Sequence, residues 1–163
     1  MSKTMIIYIL ELENDKYYVG KTNNLDKRLY QHKFGFGSEW TKKYKFVKLI
    51  ETIDSESHFD EDKYTKIYMD KFGIDNVRWG SYNKIKLTNN QKHNLITELR
   101  TSNNVCYRCG RNSHFIKNCY AKIDLDGNTL LTNKKNNDEI LVGEIINTVV
   151  SASKSIYKYF KLK

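Results

Sequence analysis

"MIIYILELENDKYYVGKT", residues 5–22, decides the fold. Its first eight residues, "MIIYILEL", make a nearly continuous apolar run, as in a strand covered on both faces. "ENDK", residues 13–16, has turn chemistry. "KYYVGKT", residues 16–22, reads as a second strand ending at Gly20, so the two strands form a hairpin. Outward from there, Asn23 or Asn24 can cap a helix running to about Phe34. Leu25 and Leu29 give that helix its apolar stripe, and Arg28 and His32, four apart, share one of its faces. "YKFVKLIETI", residues 44–53, is a third strand. Ser57 with Asp60 marks a helix start and Gly73 its stop, with Glu61, Tyr64 and Tyr68 on one side between them. "NVRWGSYN", residues 76–83, is a short extended piece or turn. "TNNQKHNLITELRTSNN", residues 88–104, is a polar helix ending in a linker. The expected class is α+β: a small three-stranded antiparallel sheet flanked by helices.

The chain has 163 residues, enough for one ordinary domain and a small appendage. No apolar run approaches the roughly 18 residues that span a bilayer, and the N-terminus lacks the features of a secretory signal. The expected location is therefore intracellular, in a reducing compartment, with no membrane partner. The formal net charge of +9 by itself favours a polyanionic partner such as DNA, RNA or an anionic membrane face. That charge is densest in residues 105–122, which carry four basic side chains and no acidic one.

The same segment holds all three cysteines, Cys106, Cys109 and Cys119, with His114 between the last two. The spacing is C-x2-C-x4-H-x4-C. An odd number of cysteines packed this closely argues against a disulfide framework. Three thiolates and one imidazole are the four ligands of a closed tetrahedral zinc site. Gly110 lets the backbone fold back after the second thiol. So short a segment cannot bury a useful core, so bound metal would supply its folding energy. "CYRCGRNSHFIKNC" resembles the retroviral-type zinc knuckle over 14 residues and all four ligands. That resemblance implies that Tyr107 and Phe115 stack on unpaired bases, with Arg108, Arg111 and Lys117 placed to meet phosphates. Ser113 departs from the glycine common before the histidine.

The N-terminal order carries a second resemblance. "IIY" at 6–8, "YVG" at 18–20, then Arg28, His32 and a helical Glu61 look like the GIY-YIG nuclease superfamily over about residues 4–85. Ile6 stands where the namesake motif has glycine, a variable position in that superfamily. The resemblance implies an endonuclease that hydrolyses phosphodiester bonds in DNA with Mg2+ or Mn2+. Glu61 matches the metal-binding carboxylate, and one carboxylate suffices for an ion that keeps several waters. Arg28 offers a fixed guanidinium to phosphate oxygens as charge builds. Tyr8 and Tyr18 would flank the scissile phosphate, one of them activating water. An unperturbed tyrosine is a poor base at neutral pH, and Arg28 with a metal is expected to favour the phenolate. His32 can relay protons. Asn83 is the candidate phosphate-holding asparagine, with Asn76 competing. Lys21, Lys42, Lys43 and Lys45 can track the nucleic-acid backbone.

The expected organisation is thus a nuclease domain over 1–88, a helical linker over 89–104, a knuckle over 105–120 and a tail over 121–163. In the tail, "DLDGNTLL" suggests a turn and short strand, and an amphipathic helix over 138–160 would pack or mediate self-association. Two readings compete with the nuclease. One is a non-catalytic, zinc-dependent nucleic-acid-binding protein with an inert nuclease-like scaffold. The other is an interaction factor oligomerised through the tail. The pairing of a minimal GIY-YIG domain with a knuckle also resembles proteins of large DNA viruses, which would place the chain in the host cytoplasm or virion.

Overall fold

The computed structural model describes residues 4–130. The helix expected over 138–160 lies outside the described residues. β1 (Ile6–Leu12) and β2 (Lys16–Thr22) form the hairpin, with Leu12 opposite Lys16. Asn14 and Asp15 turn the chain at φ +60° and +53°, a region that asparagine and aspartate tolerate better than other side chains bearing a Cβ. β3 (Phe46–Asp54) pairs with the other edge of β1. β1 is therefore central, and its apolar run follows from that position. Ile7 and Ile9 point to one face, joined by Val19 and by Tyr68 and Met69 of helix α3 (Asp60–Phe72). Tyr8, Leu10 and Leu12 point to the other, with Tyr18 and Trp40.

The sheet departs from the expected three antiparallel strands. It has four, in the order β3-β1-β2-β4, and β4 (Val77–Arg78) runs parallel to Tyr17–Tyr18 of β2. Two residues are too few to show alternation, and one of them is a charge that pattern reading places outside. Arg78 is instead 1% exposed. Its guanidinium donates to the carbonyls of Ile74, Val77, Lys84 and Ile85 and lies over the Trp40 ring.

Helix α1 (Leu25–Lys33) is capped by Asn24, whose side chain accepts the Lys27 N–H. A five-residue helix, α2 (Glu39–Lys43), follows under a Ser38 cap; it is too short to leave a periodic signal. α3 begins two residues later than the Ser57 capping pattern suggested. Asp60, its first residue, turns its carboxylate back onto the N–H groups of Glu56 and Ser57 and the Ser55 hydroxyl. Helix α4 (Asn89–Ser102) starts with a Thr88–Gln91 capping box. It is polar, yet Leu95 is buried in the same cluster as Ile7 and Ile9, with Leu99 packed against it.

Candidate active site and metal centre

Period-two alternation puts both Tyr8 and Tyr18 on the face that α1 and α2 cover. Their ring centroids are 5.9 Å apart. Asn24 fixes the start of α1, and the helical repeat then brings Arg28 and His32 down onto the two phenols. Arg28 Nε donates to Tyr8 Oη at 3.0 Å and Nη2 donates to Tyr18 Oη at 3.4 Å. Nη1 donates to Gln31 Oε1 at 2.9 Å, so the guanidinium is oriented on three sides. His32 Nε2 lies 2.9 Å from Tyr8 Oη and Nδ1 lies 2.9 Å from Thr41 Oγ1. Gly20 makes this convergence sterically feasible. A Cβ there would sit 2.3 Å from Tyr8 Oη and 2.7 Å from Tyr18 Cε1.

Burial governs the proton chemistry. It raises the pKa of Tyr8 and Tyr18; Arg28 opposes this at both but does not prevail. The expected phenolates are therefore not what these residues alone produce. Burial also lowers His32, with Arg28 adding to the effect, to a pKa of about 4. The imidazole is neutral at pH 7 and has one nitrogen available as an acceptor.

Glu61, in the first turn of α3, reaches the rim of the cluster. The backbone N–H of Lys21 donates to its carboxylate, and it lies within electrostatic reach of Arg28 and Tyr18. Burial and then the neighbouring Asp62 raise its pKa; Lys21 and Arg28 pull it down. A half-buried carboxylate with one anchored hydrogen bond and open lone pairs fits a hydrated Mg2+ or Mn2+ ion. Lys21 Nζ itself donates to the Ser57 carbonyl at 3.0 Å.

Three features that sequence reading passed over complete the wall. Asp62 accepts the Ser81 N–H and hydroxyl, each at 2.6 Å, and so ties the segment after β4 to α3. That tie carries Trp79, whose ring centroid is 5.6 Å from that of Tyr18. Thr41 and Ser38 stand behind His32. Asp62, the Trp79–Ser81 segment and the Ser38–Thr41 turn are far apart in sequence, so no spacing rule flags them. Asn83 is exposed on the same segment as Trp79. The amide of Asn76 is used elsewhere, accepting from Lys16 and donating to the Phe72 carbonyl.

The second centre lies beyond α4. One ligand atom from each of Cys106, Cys109, His114 and Cys119 falls within 4.8 Å of every other. The three cysteines are buried. The reversal between the first two is closed by Gly110 N–H onto the Cys106 carbonyl at 2.6 Å, with Gly110 at φ +78°. Ser113 proves useful here. Its hydroxyl lies 3.0 Å from His114 Nδ1 while Nε2 faces Cys109 Sγ at 3.4 Å, so the ring is oriented with Nε2 toward the thiols. Arg108 Nη1 donates to Cys119 Sγ and to the Cys119 and Ala121 carbonyls. Burial raises the Cys119 thiol pKa, but bonds to it led by His114 and Ala121 outweigh that and leave it at about 6. This is the chemistry of a metal-binding thiolate. Arg108 thus serves the cysteine shell, and Arg111 donates to the Ile123 carbonyl. Tyr107 and Phe115 remain 42% and 67% exposed, and Lys117 lies in a 3-10 turn over Ile116–Asn118.

Two phenols on one face of the sheet, a guanidinium and an imidazole from the helix that covers them and a carboxylate at their rim define a nuclease-type domain, here joined to a zinc-finger-type Cys3His cluster. The comparisons agree: residues 4–72 match the GIY-YIG catalytic domain and residues 102–137 the GAG-polyprotein viral zinc-finger. The chain belongs to the GIY-YIG family. Among its relatives, a UPF0213 protein of Syntrophus aciditrophicus is 43% identical over 60 residues, which cover 35% of this chain and 68% of that protein. UPF0213 proteins of Clostridium perfringens and Lactococcus lactis are 41% identical over 44 residues and 38% identical over 53. Those matches cover 27% and 32% of this chain and about half of each relative, 47% and 51%. No solved structure matches the chain. Among the described residues no helix is long and apolar enough to cross a membrane.

Proposed function

We propose that the chain is a metal-dependent endonuclease that hydrolyses phosphodiester bonds in DNA, with a zinc knuckle that holds a single-stranded stretch nearby. The observation that carries this reading is the hydrogen-bonded convergence of Tyr8, Tyr18, Arg28 and His32 beside Glu61. Arg28 neutralises the phosphate as negative charge builds on it. Tyr8 takes a proton from the attacking water as its own proton passes to His32 Nε2, 2.9 Å away. The bound phosphodiester offsets Arg28 and so favours the imidazolium that results. Glu61 would hold a Mg2+ or Mn2+ ion, which supplies Lewis-acid stabilisation of the phosphate when bound. Asn83 is proposed to hold phosphate at the edge of the site, and Lys21 to meet the backbone with the donors it has left. In the knuckle, Cys106, Cys109, His114 and Cys119 would hold zinc. Tyr107 and Phe115 would stack on unpaired bases, with Arg111 and Lys117 toward phosphates.

The test is incubation of the purified chain with branched and single-stranded DNA in Mg2+. Wild type is expected to cut, and Glu61→Ala to lose about a hundredfold or more of that rate, the scale of losing one electrostatic group at such a site. Equal cleavage by both, or binding with no cleavage by wild type, rejects the reading. The second of those outcomes would favour an inert scaffold carrying a nucleic-acid-binding finger.

A further inference from the structure

An uncharged imidazole carries one N–H, and its position decides which nitrogen can take a proton. At His32 both nitrogens have a partner at 2.9 Å, Thr41 Oγ1 at Nδ1 and Tyr8 Oη at Nε2. The Thr41 hydroxyl has a single proton, and the Ser38 carbonyl stands 3.1 Å away to receive it. Its oxygen then faces Nδ1 as an acceptor. The opposite arrangement would aim an Nε2–H at a phenol oxygen that already takes Arg28 Nε–H at 3.0 Å. It would also turn the Tyr8 hydroxyl away from His32 and onto Tyr18. The first arrangement runs in a single direction throughout: Arg28 donates to Tyr8, Tyr8 to His32, His32 to Thr41, and Thr41 to the Ser38 carbonyl, while Ser38 Oγ, 3.3 Å from Thr41 Oγ1, takes the Thr41 backbone N–H.

We infer that Thr41 is a positioning residue, whose hydroxyl, directed onto the Ser38 carbonyl, fixes His32 with its proton on Nδ1 and leaves Nε2 to accept from Tyr8. The catalytic consequence rests on the nuclease reading above, whereas the orientation of His32 stands on hydrogen-bond geometry. The site is built for this contact. Thr41 is buried, its backbone N–H is held by Ser38 Oγ at 3.3 Å, and the first turn of α2 thereby aims its side chain. Gly37 supplies the space: a Cβ there would come 2.4 Å from His32 Nδ1 and 2.5 Å from Thr41 Oγ1. Serine would keep the hydroxyl, while valine would keep the shape and lose it.

The experiment labels the full chain with 15N-histidine and reads the protonated ring nitrogen of His32 by proton–nitrogen correlation, with His32→Gln to assign the signal. Wild type and Thr41→Ser are expected to carry the proton on Nδ1, and Thr41→Val to lose that preference. In DNA cleavage with Mg2+, Thr41→Val should lower kcat about 10- to 100-fold, the usual scale for a group that orients a reacting residue, with KM unchanged. Thr41→Ser should restore the rate to within a few-fold. A wild-type His32 protonated on Nε2, or a Thr41→Val protein that keeps both tautomer and rate, overturns the inference. Thr41→Ala replaces valine where circular dichroism shows valine to be unfolded. A wild type that cuts nothing removes the nuclease reading, and the spectra still decide what Thr41 does.

Discussion

At the scale of single residues, burial outweighs charge at the phenol–imidazole cluster, and this has a measurable signature in His32. Its folded pKa of about 4 lies below the usual 6.5. Between those values the unfolded chain binds the proton and the folded one does not, so folding weakens as pH falls through the window. His32→Gln removes that titration. Urea melts from pH 7 down to pH 4 should show wild type losing stability across the window more steeply than the variant. Parallel curves would mean that the ring is not held uncharged. The same burial explains why proximity to Arg28 is not enough to make Tyr8 an anion. The hydroxyl keeps its proton, with His32 Nε2 2.9 Å from it.

At the scale of elements, α4 shows how little apolar sequence a packed helix needs. Leu95 and Leu99 lie four residues apart in a stretch whose one other apolar side chain is Ile96, one turn of apolar contact against the core. Leu95→Ala should cost about 2–5 kcal/mol in a denaturant melt, the range for truncating a buried leucine. A helix that merely links would change by about 0.5 kcal/mol or less. The β1–β2 hairpin and α1 were legible in the sequence because each carries a repeated signal: an apolar run, turn residues, a capping asparagine. The residues brought together at the site were legible for the same reason, since Tyr8, Tyr18, Arg28 and His32 sit at fixed intervals on those elements. β4 and α2 carry no repeat, and β4 is held by a buried arginine that satisfies carbonyls instead of facing water. Thr41, Trp79 and the Asp62–Ser81 tie were hidden because they meet the site only after the chain has folded.

At the scale of the whole molecule, one side chain of α4 holds the knuckle. Arg100 of α4 donates to the carbonyls of Tyr107 and Arg108 and to the carboxylates of Asp124 and Asp126. The turn that carries those carboxylates is itself stitched by Asp124 to the N–H groups of Asp126 and Asn128. The knuckle is thus fastened to a helix that belongs to the core, yet no thiol contributes to that core. Stripping zinc with a chelator should open backbone amides across residues 105–130 to hydrogen exchange while those of β1 and β2 stay protected. Exchange rising together in both regions would show a single folding unit. Gly20 closes the matter from the other direction. It does not stand among the positive-φ glycines, so its missing side chain is not a matter of backbone freedom. The third letter of the second motif is an empty volume that two aromatic rings occupy. A chain with alanine in that place could keep every reactive group and still be unable to seat them together. A single methyl group there is enough to decide whether the two rings can meet.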